Sequence, residues 1–318
     1  MNIINGILVS LPGAASQGIM WGIMTLGVYL TYRILDFADL TVDGSFATGG
    51  AISAVLIVNG VNPFLSLFIA FLGGTLAGFS TGILNTVFKI PPILSGILTM
   101  LALYSVNLRI QGQSNIPLLG ETTSVTIIKG LTGFSTNGAS ALLGISLSVG
   151  IVLVLYWFFG TEIGCSIRAT GNNPKMVMAM GVNTSTMKIM ALMLSNGLVA
   201  LSGGVVTQSQ GFGDIGSGTG AIVMGLASII IGEVIFGVRF SFLYKMSSVI
   251  IGSVLYRVVI ALVLQLGMRS TDLKLFTAVI VAFALGMPQF KIHILRKLHC
   301  FKFAKASEKA VSISAERA

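Results

Sequence analysis

Ionisable and carboxamide side chains inside otherwise apolar stretches need a partner or a task, because a lipid-like interior offers them neither water nor counter-ions. Arg257 stands in SVLYRVVIALVL with no opposite charge within four residues. It must therefore face protein or a wet cavity, with Glu233, Asp214 or Asp43 as partners from other segments, either as a structural ion pair or turned to a solute. Asn107 and Gln111, and further on Asn196, Gln208 and Gln210, are placed to hydrogen-bond either a passing solute or a neighbouring backbone. Arg33 with Asp36 and Asp39 makes a charge cluster that serves either gating or plain solvation. This is chemistry for binding and passage, not for bond breaking. No G-x-x-x-x-G-K-[ST] loop, G-x-S-x-G elbow, H-E-x-x-H pair or C-x-x-C occurs, and both histidines, His293 and His299, sit in the basic end. The chain reads as a pathway rather than an enzyme, with no cofactor or metal expected.

A second group is polar for a different reason. RATGNNPKMVMAMGV, residues 168–182, interrupts the apolar spans at their longest break. Asn173 suits a helix N-cap, Pro174 its first turn, and Gly181 its end about two turns later. A loop that only connects spans needs neither caps nor a row of Met176, Met178 and Met180. The stretch is either a knob offered to another protein or a helix resting on lipid headgroups.

The elements that must position these residues are membrane helices. Hydrophobic residues make up 54% of the 318 and charged residues 9%, well below the roughly one quarter of soluble proteins. A span needs about 20 apolar residues. That measure predicts segments near 13–33, 64–84, 91–110, 140–160, 186–207, 246–266 and 274–290, with shorter or Gly-broken ones at 45–60 and 218–237. The fold class is thus all-α, a polytopic helical membrane protein of about nine segments. Residues 1–290 form the membrane domain and 291–318 a basic tail carrying seven Lys or Arg against Glu308 and Glu316. Placing 34–44, 85–90, 161–185, 238–245 and the tail on one side, with Arg33 and Lys188 at the adjoining span ends, gathers fourteen of nineteen Lys and Arg there, which predicts an outside N-terminus and a cytoplasmic C-terminus. Residues 1–12 read as part of the mature chain and suit an interfacial helix. The spacing of Cys165 and Cys300 fits no metal site, and their expected reducing side argues against a disulfide.

The segment at 45–60 is too short to cross a core of ~30 Å and should be broken or tucked between neighbours. DFADLTVDG (36–44) precedes it and GFGDIGSGTG (211–220) precedes the seventh segment, so that Phe37, Asp39 and Leu40 align with Phe212, Asp214 and Ile215 at an offset of 175. The copies lie on opposite sides, five segments apart, as in an inverted repeat with broken or re-entrant helices. Gly49, Gly50, Gly218, Gly220 and Gly225 are then places to look for a solute path, and the small residues at 73, 74, 77, 78 and 82 make a ridge for close helix packing.

TEIGCSIRATGNNPKMVMAMGVNTSTMKIMALMLSNGLVALSGGVVTQSQGFGDIGSGTGAIVMGLASIIIGE (161–233), with YRILDFADLTVDGSFATGGA (32–51) and KIPPILSGILTM (89–100), resembles the permease subunits of bacterial ABC importers. The branch is that of the branched-chain amino-acid and ribose-type permeases, and the likeness covers most of 20–290. The resemblance implies a type II importer-like fold in the bacterial cell membrane. It implies a pathway formed with a second permease copy, two cytoplasmic ATPase subunits, and an external or periplasmic solute-binding protein. It also implies that 168–182 is the coupling helix docking on the ATPase, with Arg168, Gly171, Asn173, Pro174, Met176, Met180 and Gly181 as its pattern. The solute favoured is a hydrophobic or aromatic amino acid. Asp39, Asp43, Asn107, Asn196, Gln208, Asp214 and Arg257 are the candidates for the path or its gate. An ion-coupled carrier, suggested by Asp39, Asp214, Glu233 and Arg257, and an exporter or scaffold subunit are the alternatives.

Overall fold

Apolar runs of this length satisfy their backbone groups only within helices, and helices are what form. The computed structural model describes residues 3–237, 241–265, 272, 275–279 and 282. Most of the segment expected over 274–290 and the whole basic tail fall outside these. In order come α1 (Ile3–Tyr29), ending in a π-helical turn (Leu30–Ile34), then α2 (Thr41–Val58), α3 (Pro63–Thr86), α4 (Pro92–Gln111), a strand β1 (Asn115–Pro117) and α5 (Ser124–Thr132). There follow α6 (Thr136–Gly160), α7 (Glu162–Asn172), α8 (Pro174–Ala179), α9 (Thr184–Gln210), strand β2 (Phe212–Asp214), a 3-10 turn (Ile215–Gly218), α10 (Ala221–Phe236) and α11 (Phe242–Gln265). Among the described residues seven of these are long and apolar enough to cross a membrane: α2, α3, α4, α6, α9, α10 with its preceding turn, and α11. α1, 27 residues long, runs without interruption from Ile3 through Pro12, so residues 3–12 extend the first segment rather than forming a separate interfacial helix.

Local chemistry sets the helix ends. The Asn62 side chain accepts from the Phe64 N–H with Pro63 in the first turn of α3, and Asn183 caps α9 in the same manner. Thr123 and Thr126 form a capping box on α5. Gly112 and Gly211 close α4 and α9 in the left-handed region at φ 69° and 77°.

The inverted repeat is visible in the packing. α3 lies along α9 as α11 lies along α1, and α2 packs on α3 as α10 packs on α11. The two aligned aspartates do the same thing in each copy: the Asp39 carboxylate accepts from the Thr41 N–H (2.9 Å) and the Asp214 carboxylate from the Gly216 N–H (3.1 Å), each two residues on. Gly218, 175 residues after Asp43, packs against the Asp43 carbonyl with no room for a Cβ, so equivalent positions of the two copies meet.

Of the two outcomes open to the short second segment, α2 is tucked in and unbroken, mostly buried between α3, α4 and α9. The break belongs to the second copy, where β2 and the 3-10 turn precede α10. Gly49 and Gly50 therefore mark no break: Gly49 lies on the Ala200 backbone and Gly50 on Thr207. Gly225 likewise seats on Val28 of α1. The ridge on α3 packs as expected, Gly74 and Gly78 lying directly on the α9 backbone at Asn196 and Leu192. A short antiparallel ribbon pairs Asn115 with Asp214 and Pro117 with Phe212, tying the loop after α4 to the entry of α10. Nothing in the hydropathy pattern announces it.

Candidate functional site

Two groups of residues stand out, one at the end of the molecule that carries α7 and α8, the other where the starts of α2 and α10 meet. At the first, the Asn173 side chain accepts from the Met176 N–H (3.2 Å), Pro174 occupies the first turn of α8, and Gly181 at φ 83° ends it. Val177 is buried and anchors the helix, whereas Met176, Met178 and Met180 are exposed, Met180 at 74%. Removing the cap should loosen only this element. Asn173→Ala costs about 1 kcal/mol of helix stability. Hydrogen exchange of the 174–180 amides should then quicken roughly fivefold while the spans exchange unchanged.

Arg168 and Gly171 do not belong to the short helix but to α7, where they have other tasks. Arg168 donates to the Phe159 carbonyl (2.8 Å) and lies over the Phe242 ring, which fixes α7 to the ends of α6 and α11. Gly171 packs so closely on the Ile34 carbonyl that no side chain fits. Both residues hold the platform from which α8 projects. Beside it Arg33 donates two hydrogen bonds to Glu233 (2.8 and 2.9 Å), a bidentate pair joining the end of α1 to α10. Of the expected Arg33, Asp36 and Asp39 cluster only Asp39 departs, turning inward; Arg33 and Asp36, the latter at φ 53°, line the same cavity of about 670 Å³ open on this end.

In the interior, Asp39 is fully enclosed. Its carboxylate accepts from Asn196 Nδ2 (2.7 Å), and Asn196 Oδ1 accepts from the Ser45 hydroxyl (2.7 Å), so the loop before α2 is locked to the middle of α9. Gln208 donates to Ser53, Ser66 and the Pro63 carbonyl and accepts from the Ser124 N–H at 3.0 Å, joining α9 to α2, α3 and α5. These three polar residues are saturated with partners inside the chain. The serines and threonines that complete them, Ser45, Ser53, Ser66 and Ser124 among them, carry no signal in the sequence beyond being hydroxyls in or beside spans. Asp214 caps its own turn and does not reach Arg257. The other two expected partners are committed elsewhere, Glu233 to Arg33 and Asp43 to α10. The Arg257 guanidinium instead lies 4.1 Å above the Trp21 ring, a cation–π contact, and Trp21 in turn stacks on Phe46.

Asp43 and Asn107 are different. The Asp43 carboxylate accepts from the N–H groups of Gly220 and Ile222 (both 2.9 Å), so it sits on the positive end of α10. Asn107 on α4 is 0% exposed, yet neither its oxygen nor its nitrogen has a partner, and Gln111 one turn on is in the same condition. Each unpaired buried group costs about 1–3 kcal/mol. Asp43 and Asn107 both line a cavity of about 210 Å³ with Tyr104 and Thr219.

A family model described as "Branched-chain amino acid transport system / permease component" matches residues 10–285. The tyrosine transport system permease protein of Clostridioides difficile (strain R20291) is 40% identical over 294 residues, which covers 92% of this chain and 96% of that one. A probable branched-chain amino acid transport permease of Methanocaldococcus jannaschii is 27% identical, covering 60% of this chain and 63% of its own length. The ribose import permease of Bacillus subtilis is 26% identical, with 63% and 58% covered. No solved structure matches.

Proposed function

Because the chain belongs to the branched-chain amino acid permease family of ABC importers, we propose that it is the membrane subunit through which an amino acid enters the cell, driven by ATPase subunits on separate chains. The single observation that carries this reading is α8. It is a capped helix of six residues that buries Val177 and, with Met180 just after it, presents three methionines to whatever lies beyond. Methionine is a flexible, polarizable contact residue suited to a groove in another protein, and a helix resting on lipid would bring basic residues along its flank rather than Lys175 alone. On this reading α7 and α8 face the cytoplasm, the N-terminus is outside and the C-terminus inside. Two cytoplasmic ATPases dock on a pair of identical permeases, and an external solute-binding protein delivers the cargo. The absence of any phosphate-cradling loop fits that division, since the fuel chemistry is placed on another chain.

An amino acid is favoured over a sugar by the name of the relative that is 40% identical across nearly the whole chain, a tyrosine permease. An ion-coupled carrier loses its support residue by residue. Asp39 is saturated with hydrogen bonds, Asp214 caps its own turn, Glu233 is paired and Arg257 sits on an aromatic ring. The test is reconstitution in liposomes with the partner ATPase and binding protein. L-tyrosine uptake is expected to need ATP and both partners. Uptake by the chain alone under an imposed proton or sodium gradient would overturn the proposal.

A further inference from the structure

The cavity between α2, α4 and the entry to α10 has a wall chemistry that no structural role absorbs. Asn107 carries two donor hydrogens and an oxygen with two lone pairs, all buried and all unmet within the chain. A ligand that satisfies both ends must itself offer an acceptor and a donor. Asp43 adds a carboxylate that accepts from the N–H groups of Gly220, Ala221 and Ile222 and keeps a remaining lone pair. The Thr219 hydroxyl gives its hydrogen to the Gly216 carbonyl, so its oxygen faces any ligand as an acceptor. The acceptors thus gather at Asp43 and Thr219, and the buried unused donor is the Asn107 amide.

We infer that this cavity is a transit subsite for the zwitterionic head of an α-amino acid, the ammonium held by Asp43, Thr219 and Asn107 Oδ1 and the carboxylate by Asn107 Nδ2. The inference rests on the importer reading above and gives it a site. The volume of about 210 Å³ lies below the roughly 300–1,000 Å³ of sites that enclose a drug-sized ligand. It takes the head group and leaves the solute side chain to lie outward on Leu101 and Tyr104, which are 59% and 57% exposed on the open face of α4. An aromatic or aliphatic side chain is what such a face accepts.

The test uses the reconstituted complex with its ATPase and binding protein, a diazirine-bearing phenylalanine as photoprobe, and peptide mapping of the label. Label is expected on 100–107 or 215–219, competed by excess L-tyrosine. Tyramine, which lacks the carboxylate, and 4-hydroxyphenylpropionate, which lacks the ammonium, should each compete at least tenfold less well. Asn107→Leu removes the unmet groups at similar volume. It should cut labelling at least tenfold while the melting temperature holds or rises, and Thr219→Val should weaken labelling in the same direction. Label only elsewhere, equal competition by the two truncated analogues, or a lowered melting temperature of Asn107→Leu would overturn the inference. ATP-driven L-tyrosine uptake in the same vesicles separates the two ideas. If uptake is absent the importer reading fails; if uptake runs and the cavity stays unlabelled, only the subsite fails.

Discussion

Met180→Glu yields a permease that folds and no longer imports. Met180 is the most exposed of the three methionines on and just after α8, and its side chain reaches outward rather than into the core, so its replacement leaves the melting temperature of the isolated permease unchanged. If α8 docks on the ATPase as proposed, the same position enters an apolar groove of the partner, where an unpaired carboxylate costs several kcal/mol unless it finds a cation. With 1.4 kcal/mol per factor of ten, docking weakens by about a hundredfold or more. Uptake is lost, and the ATPase no longer co-purifies or hydrolyses ATP without responding to solute. Met180→Leu keeps both functions. Normal coupling in the glutamate variant would remove α8 from the interface. Gly171→Leu offers the contrast. It too abolishes uptake, but through folding, because the side chain has no space against the Ile34 carbonyl and α7 cannot seat. The measured difference is the yield of folded permease, which falls for Gly171→Leu and holds for Met180→Glu.

That contrast marks the boundary of what is legible in the sequence. The cap at Asn173, the proline after it and the stop at Gly181 are local devices, and all three act within α8 as their residue types require. The doubled aspartates are legible for the same reason: a carboxylate bonding the N–H two residues on needs nothing distant, and Asp39 and Asp214 both do it. Long apolar runs place the spans well. What stays hidden is every choice of partner across the chain. Arg33 sits three residues from one aspartate and six from another, yet it pairs with Glu233, 200 residues away, where α1 and α10 end side by side. Arg257 reads as a residue in need of a carboxylate and lies instead on the Trp21 ring, because the carboxylates expected for it are already committed to N–H groups or to Arg33. Gly171 reads as part of a docking motif, and nothing near it in sequence tells that two backbones touch there, at the Ile34 carbonyl. Periodicity and propensity carry the identity of a helix; they carry nothing about which helix lies opposite.

Asp39 and Asn196 make the second prediction, since they lock the loop before α2 to α9 at the centre of the fold. Asp39→Ala leaves the Thr41 N–H and one of the two Asn196 amide hydrogens buried without an acceptor, at about 1–3 kcal/mol each. Asp39→Asn is gentler in volume but sets two amide nitrogens against each other, because Asn196 Oδ1 is held by Ser45 and a flip would break that bond. Either single change should lower the denaturation midpoint clearly. The exchange Asp39→Asn with Asn196→Asp restores a donor facing an acceptor: the amide introduced at position 39 donates to the carboxylate introduced at position 196, whose second oxygen still accepts from Ser45. Recovery is partial, because Asn196 Nδ2 also donates to the Leu192 carbonyl (3.1 Å) and an oxygen in its place repels it. The cycle should nonetheless give a favourable coupling, within the ~0.5–3 kcal/mol found for residues in one network. If the two single changes simply add in the double variant, the bond seen between these side chains does not hold the loop. The starts of the two repeats would then be kept together by Asp43, whose carbonyl meets Gly218 and whose carboxylate accepts from the Gly220 and Ile222 N–H groups. The swap therefore also tests whether the pseudo-symmetric centre is a rigid pivot, as opening a path between the repeats requires.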